Sequence, residues 1–257
     1  MSGVRAIVTK ELRAAFVSPT VYVVAAVFLL CFGILSFLFV QIAGQVALRQ
    51  MQMQGAAAQL NLNDLVFRPL FSWTGFFLFV ILLPILTMRL FAEEKKLRTF
   101  ELLMTSPVGV NEIVVGKFLS VFIIFLGLLL LTGVVPLILS AYSSFDWNPV
   151  LTGYLALALT GGLFLATGVF ASAMTENQIV AVLVSFGILF LAWLLGVAGM
   201  SIGETPIGTA LSYMSFGEHF DRLIRGLIET KDLVYYASGL ILMLFLAHRV
   251  VESQRWK

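Results

Sequence analysis

Between Val21 and Val40 the chain carries no charged residue. The same holds for Leu70 to Met88, Phe118 to Ala141, Val150 to Ala173, Ile179 to Met200 and Leu233 to Ala247. An apolar run of about 20 residues crosses a bilayer core as one helix, because in lipid each backbone polar group must be satisfied within its own segment. Six such runs in 257 residues predict an all-α polytopic membrane protein, folded as one transmembrane domain over residues 1–257. Composition agrees: 60% of residues are hydrophobic and 12% charged, against about 25% charged in soluble domains. The last run is the shortest. Tyr235 and Tyr236 at one end, with Arg249, Arg255 and Trp256 at the other, supply its interface anchors.

Several functional classes are disfavoured. The single cysteine, Cys31, lies inside an apolar run, so neither an internal disulfide nor a cysteine-rich metal site is expected. A net charge of +2 with scattered basic residues argues against a nucleic-acid partner. The first twenty residues lack the apolar core of a cleavable signal. Gly116-Lys117 resembles the end of a phosphate-binding loop, but that motif needs Gly five residues before Gly116 and Ser or Thr after the lysine; here Asn111 and Phe118 stand there. No nucleotide is expected on this chain, no catalytic residue and no metal. His219, beside Glu218 and Asp221, is read as an ordinary polar position, since the only other imidazole, His248, falls near the opposite membrane face. Ion-coupled carriers place ionisable groups inside their spans, and these runs hold none. Energy for any transport has to come from another protein.

Six crossings put both termini on one side. With the termini in the cytoplasm, the inner segments hold eleven Lys and Arg and the outer ones five, so the positive-inside rule predicts cytoplasmic termini. The richest inner segment, Arg89 to Lys117, joins spans two and three. It reads as an amphipathic helix across the cytoplasmic mouth, with Leu97, Phe100, Leu103 and Met104 on one arc and Glu94, Lys95, Arg98 and Glu101 on another. Glu94 to Arg98 and Arg98 to Glu101 have ion-pair spacing. Pro107 and Gly109 end that helix, and Asn111 is placed to cap the next. Residues 1–20 read as an interfacial elbow: Val4, Ile7, Val8, Leu12 and Ala15 face away from Arg5 and Arg13. The first span is expected to run on beyond the bilayer through Gln41, Gln45 and Arg49. Outer residues 201–232 carry an apolar stripe of Phe216, Phe220, Leu223 and Leu227 with i,i+4 pairs Glu218–Arg222 and Asp221–Arg225, so this segment should pack on, or dip into, the outer mouth. Ala158, Gly162 and Ala166 mark close helix packing in span four. Pro84 and Pro136 stand where they would kink their spans.

The inner segment also carries a recognisable pattern: Glu93-Glu94, Lys95-Lys96, Thr99-Phe100-Glu101, Leu102-Leu103, Pro107, then Gly116-Lys117 opening span three. With "DLVFRPLF" before span two and "YMSFGEHFDRLIRGLIETKDLVYY" before span six, it resembles the permease subunits of ABC-2-type exporters, closest to the gliding-motility-associated subfamily. Many members have Gly where Arg98 stands; the departure touches only local helix geometry, since Arg suits a helix better than Gly. The resemblance implies a six-span fold with elbow helix, cytoplasmic coupling helix and outer helical elements that re-enter between spans five and six. It further implies a cytosolic ABC ATPase dimer carrying ATP and Mg, and a second permease half, identical or homologous, which in some systems bears a large extracytoplasmic domain. The site residues it implies are Glu93, Glu94, Lys95, Arg98, Thr99, Glu101, Leu102, Leu103, Met104 and Pro107 for ATPase coupling. Arg5, Lys10 and Arg13 would anchor the elbow at lipid or partner, and Phe216, His219, Phe220, Arg222 and Leu223 would build the outer helices. Membrane lipid is the remaining partner, and a bacterial cytoplasmic membrane the expected location. The function expected is ATP-driven export; the alternative is a mechanical relay to an extracytoplasmic protein, and an ATP-independent channel is the weakest option.

Overall fold

The computed structural model describes residues 2–54, 61–105, 108–203 and 205–254. Among these there is no strand, and six helical stretches are long and apolar enough to cross a membrane. They are Pro19–Arg49, Asn63–Lys96, Val110–Tyr142, Trp147–Met174, Gln178–Ile202 and Thr230–Gln254, numbered here as spans one to six. The chain is therefore an all-α polytopic membrane protein. Arg255 and Trp256, expected as anchors of span six, lie outside the described residues.

The helices start and stop where side chains satisfy backbone groups that have no partner within the helix. Asp146 caps span four by accepting from the Asn148 N–H, and Asn177 caps span five through the Ile179 N–H. Span three starts at Val110, with Gly109 in an extended conformation before it. Glu112 reaches back to accept from the Gly109 N–H at 3.2 Å, so Asn111 lies inside the first turn and is not the cap. Span one does continue as helix, to Gln54. Span three is interrupted at Gly133, three residues before Pro136. Proline offers no N–H to the carbonyl four residues back and its ring crowds that carbonyl, so the helix loosens in the turn before it. Span two keeps Pro84 within a helical segment, Phe79–Thr87, and is widened by two five-residue π-helical turns, Asn63–Phe67 and Thr74–Leu78.

Span four is the hub. In its apolar central stretch 78% of residues are buried, and it packs against spans two, three, five and six, while the corresponding stretches of span six and span one are 17% and 22% buried and leave surface available to lipid. Helices in lipid gain little from burying grease against grease, so they associate through close van der Waals fit. Ala166 and Gly162 are buried and Ala158 half-buried, but the tightest approaches use other glycines. Gly153 lies under Phe71, Gly161 under Phe125 and Gly168 under Thr87, with no room for a Cβ at any of the three. Phenylalanines fill the rest: Phe28 and Phe125 both approach Phe79, at 6.1 and 5.1 Å between ring centroids.

The bundle has two distinct ends. One gathers the elbow helix Ser2–Val17, the segment 89–105 and the last turns of spans four and six. The other gathers the start of span two, residues 143–147 and the helices Pro206–Met214 and Phe216–Ile224, called outer after the orientation that the charge distribution predicts.

Candidate functional site

The segment between spans two and three is anchored at its base and exposed at its tip. After Thr87 the chain begins a new helix, Arg89–Lys96, whose first N–H groups have no carbonyl behind them. Ser172 of span four supplies what is missing. Its hydroxyl accepts from the Phe91 and Ala92 N–H groups, at 3.1 and 3.2 Å, and donates to the Met88 carbonyl at 2.9 Å. The carbonyls at the end of span four need donors in turn: Lys95 and Gln254 both donate to Ala173.

A buried lysine ties the elbow to the same base. Lys117 enters span three with a side chain only 1% exposed. Its ammonium has three protons and faces three oxygens: Glu11 Oε1 at 2.8 Å, the Leu90 carbonyl at 2.6 Å and Glu94 Oε2 at 3.0 Å. The Glu94 contact is an ion pair without the alignment of a hydrogen bond. Phe91 lies beneath the charge, its centroid 5.2 Å from Nζ. Lys10 donates to the other Glu94 oxygen at 2.9 Å, so two cations and two carboxylates balance. Burial lowers the basicity of the Lys10 ammonium, but the hydrogen bond and charge of Glu94, helped by Glu11, outweigh it and the net shift is upward. Gly116 lets this happen, since a Cβ there would meet Ile7 of the elbow at 2.8 Å.

The single amphipathic helix expected over this segment is two short ones. Arg89–Lys96 ends in a left-handed turn at Arg98, φ 57°, and Phe100–Met104 follows. The Arg98 N–H bonds the Lys95 carbonyl and the Thr99 N–H the Glu94 carbonyl, at 3.0 and 2.9 Å. These paired bonds around a left-handed residue form a Schellman cap, a position that favours glycine. Arg98 therefore corrects the expectation of a continuous helix. The expected Glu94–Arg98 and Arg98–Glu101 pairs do not form, because Glu94 turns inward to Lys10 and Lys117.

Other coupling candidates are redistributed by the same turn. Glu94 and Lys95 belong to the anchored base, and Glu93 is half-buried with its carboxylate 4.0 Å from Arg89 Nε. Phe100 is buried beside Phe91, and Leu103 and Met104 are half-buried against the core. The outward tip consists of Leu97, 64% exposed, and Leu102, 72% exposed, with Arg98, Thr99 and Glu101 exposed beside them. Pro107 lies outside the described residues. Arg5 and Arg13 are exposed on the elbow, whereas Lys10 is engaged with Glu94.

At the far end Phe216, Phe220 and Leu223 are buried as expected, but Leu227 is exposed because the helix stops at Ile224 and turns at Gly226, φ 87°. Phe220 sits on Gly75 in the second π-helical turn of span two. His219 is no ordinary surface position. It is fully buried, stacked on Tyr235 at 4.0 Å, with Nδ1 2.6 Å from Asp232 and Nε2 3.0 Å from the Tyr213 carbonyl. Arg222 joins the pair through Asp232 at 2.5 Å and Glu218 at 2.6 Å. The hydrogen bonds that Arg222 donates to Asp232, against the opposing effect of partial burial, raise its already high basicity. Asp221 pairs with Arg225 at 2.5 Å and with Arg68 of span two at 3.1 Å, so both expected i,i+4 pairs form. The outer helices are thus clamped to spans two and six.

Sequence reasoning missed Glu11, Lys117 and Ser172 at one end of the bundle and Asp232 at the other. A lysine flanked by "IVVG" and "FLSVF" is a visible signal for a buried cation; Ser172 gives none.

This fold, six spans with a helical segment clamped to the bundle at each end, defines an all-α polytopic membrane protein. Residues 5–251 match the family described as ABC-2 family transporter protein, nearly the whole chain, and the protein belongs to that family. It is accordingly the permease type of subunit of an ABC transporter, a multi-pass membrane transport component, and the family implies partnership with an ABC ATPase. No curated protein matches the sequence.

Proposed function

We propose that this chain is the transmembrane half of an ATP-driven exporter, closest to the gliding-motility-associated branch of its family. Its termini face the cytoplasm of a bacterial inner membrane, and it works beside a second permease half. A dimer of ATPase subunits, holding ATP and Mg, grips the tip formed by Leu97, Arg98, Thr99, Glu101 and Leu102. The observation that carries this reading is the contrast between two strongly exposed leucines at the tip and the locked base beneath them. An apolar pair entering a partner groove supplies binding energy, and a charge at its rim supplies register. The base transmits the displacement because Ser172, Lys95 and Lys117 tie it to spans four and three and to the elbow. ATPase closure then rocks these helices as rigid bodies, driven by the difference in affinity between ATPase states.

The test is Glu101→Ala combined with Leu102→Ala. Both side chains are exposed, so the permease folds, while the ATPase co-purifies at least about tenfold less well. Undiminished co-purification and undiminished transport-stimulated ATP hydrolysis would remove the proposal. The second reading, force transmission to an extracytoplasmic protein, draws support from exposed Leu227 and Ile228 at the outer end. A cargo trapped between permease halves counts against it.

A further inference from the structure

A cavity of about 440 Å³ lies where the elbow helix meets spans one, two and three, beside the Lys117 cluster. That volume falls within the range of small-molecule sites, roughly 300–1,000 Å³. Buried Leu86, Val121 and Ile124 line its inside, with Ser120 and the paired Lys117 among them, and half-exposed Ser18, Arg89 and Glu93 stand at its mouth. A mostly apolar depth with a polar mouth, on helices that cross a membrane, matches an amphiphile lying along the bilayer.

Charges at the mouth narrow the headgroup. Lys10, Lys117, Glu11 and Glu94 neutralise one another in direct contacts. Arg89 and Glu93 remain. Their closest approach is 4.0 Å, beyond hydrogen-bond range. Arg89 donates from Nη1 to Ser18 at 3.0 Å, but its Nε is buried and has no hydrogen-bond partner. A donor left unpaired is destabilising, and a small turn of the guanidinium toward an incoming oxygen anion would satisfy it. A cation and a carboxylate side by side, loosely joined, fit a head that carries both charges.

We propose that this cavity is a binding site for a zwitterionic phospholipid. The phosphodiester accepts from Arg89, the ammonium approaches Glu93, and the first part of one acyl chain follows the apolar wall while the remainder stays in the bilayer. The bound lipid wedges the elbow against spans one to three, next to the base of the projecting tip. The site is independent of the ATPase reading, since its occupancy is measured without ATP or partner.

The full-length chain, stripped of lipid in detergent, is titrated with phosphatidylethanolamine, phosphatidylglycerol of the same acyl chains, or inorganic phosphate, and bound mass is read by native mass spectrometry. Wild type holds one phosphatidylethanolamine per chain. Affinity falls roughly tenfold in Arg89→Gln, for loss of a charged hydrogen bond, and comparably in Ala15→Leu, which fills the cavity without changing charge. Thr9→Ala, on the exposed side of the elbow, leaves binding unchanged. Should Arg89→Gln fail to fold in a thermal scan, Ala15→Leu alone decides. Equal lipid retention by wild type and Ala15→Leu overturns the proposal, as does binding of inorganic phosphate alone or a clear preference for phosphatidylglycerol.

Discussion

Lys117 shows how one residue fixes the geometry of three elements. A charge so deeply buried is stable only when its partners surround it, and removing one member of such a pair costs about 3–5 kcal/mol. Lys117→Ala is therefore expected to lower stability by that amount and to loosen the elbow, read as a drop in the thermal midpoint and as new protease cleavage within residues 2–17. Glu11→Gln should cost less, because Glu94 still faces the ammonium. Arg98 makes the opposite prediction. A non-glycine residue in the left-handed region carries roughly 1–2 kcal/mol of strain, of which the greater freedom of glycine in the unfolded chain offsets about 0.5–1. Arg98→Gly should leave the thermal midpoint unchanged or raise it, and Arg98→Val should lower it. The Arg98 turn was hidden in the sequence because arginine is a good helix former, and only the path of the chain from Thr99 to Phe100, whose ring packs beside Phe91, demands the turn.

At the scale of elements, the bundle depends on glycines that admit a neighbour's side chain. Gly161→Leu would drive a side chain into Phe125 of span three, and overpacking of this kind costs typically about 1–3 kcal/mol. The prediction is reduced yield and a lowered thermal midpoint for Gly161→Leu. Gly127→Leu, on the same pair of spans but with open space around its Cβ, should behave as wild type. The spacing of Ala158, Gly162 and Ala166 pointed to the right helix, and Gly162 does approach Phe122 closely, but the tightest contacts fall on Gly153, Gly161 and Gly168. A repeat of small side chains defines a face, but which position touches depends on the rotation of each neighbour about its own axis. The outer helix illustrates the same limit. Its stripe of Phe216, Phe220 and Leu223 was legible and buried, whereas His219, on the polar side of that count, is enclosed because Tyr213, Asp232 and Tyr235 arrive from other segments.

For the whole molecule the orientation is the proposition on which the proposed mechanism rests, and it has a direct check. In a Cys31→Ser background, Leu102→Cys should react with an impermeant thiol reagent only after the cells are opened, while Leu227→Cys should react from outside. The reverse pattern would invert the protein and detach the tip from any cytosolic ATPase. That both sites lie at opposite ends of one bundle follows from the three crossings between them and from contacts such as Lys10 with Glu94 at one end and Arg68 with Asp221 at the other.

The number of spans, the amphipathic elbow, the projecting segment and the buried outer stripe were all determined by sequence alone, because lipid demands long uncharged helices and hydrophobic periodicity is a local property. Tertiary structure alone decided that Glu94 and Lys95 hold the base, that Leu97 and Leu102 form the tip, and that Lys117, Glu11 and Ser172 belong to one assembly. Those assignments depend on residues 78 to 106 positions apart meeting in space. A buried charge or an unpaired N–H finds its partner by proximity in the fold, and no spacing along the chain records it.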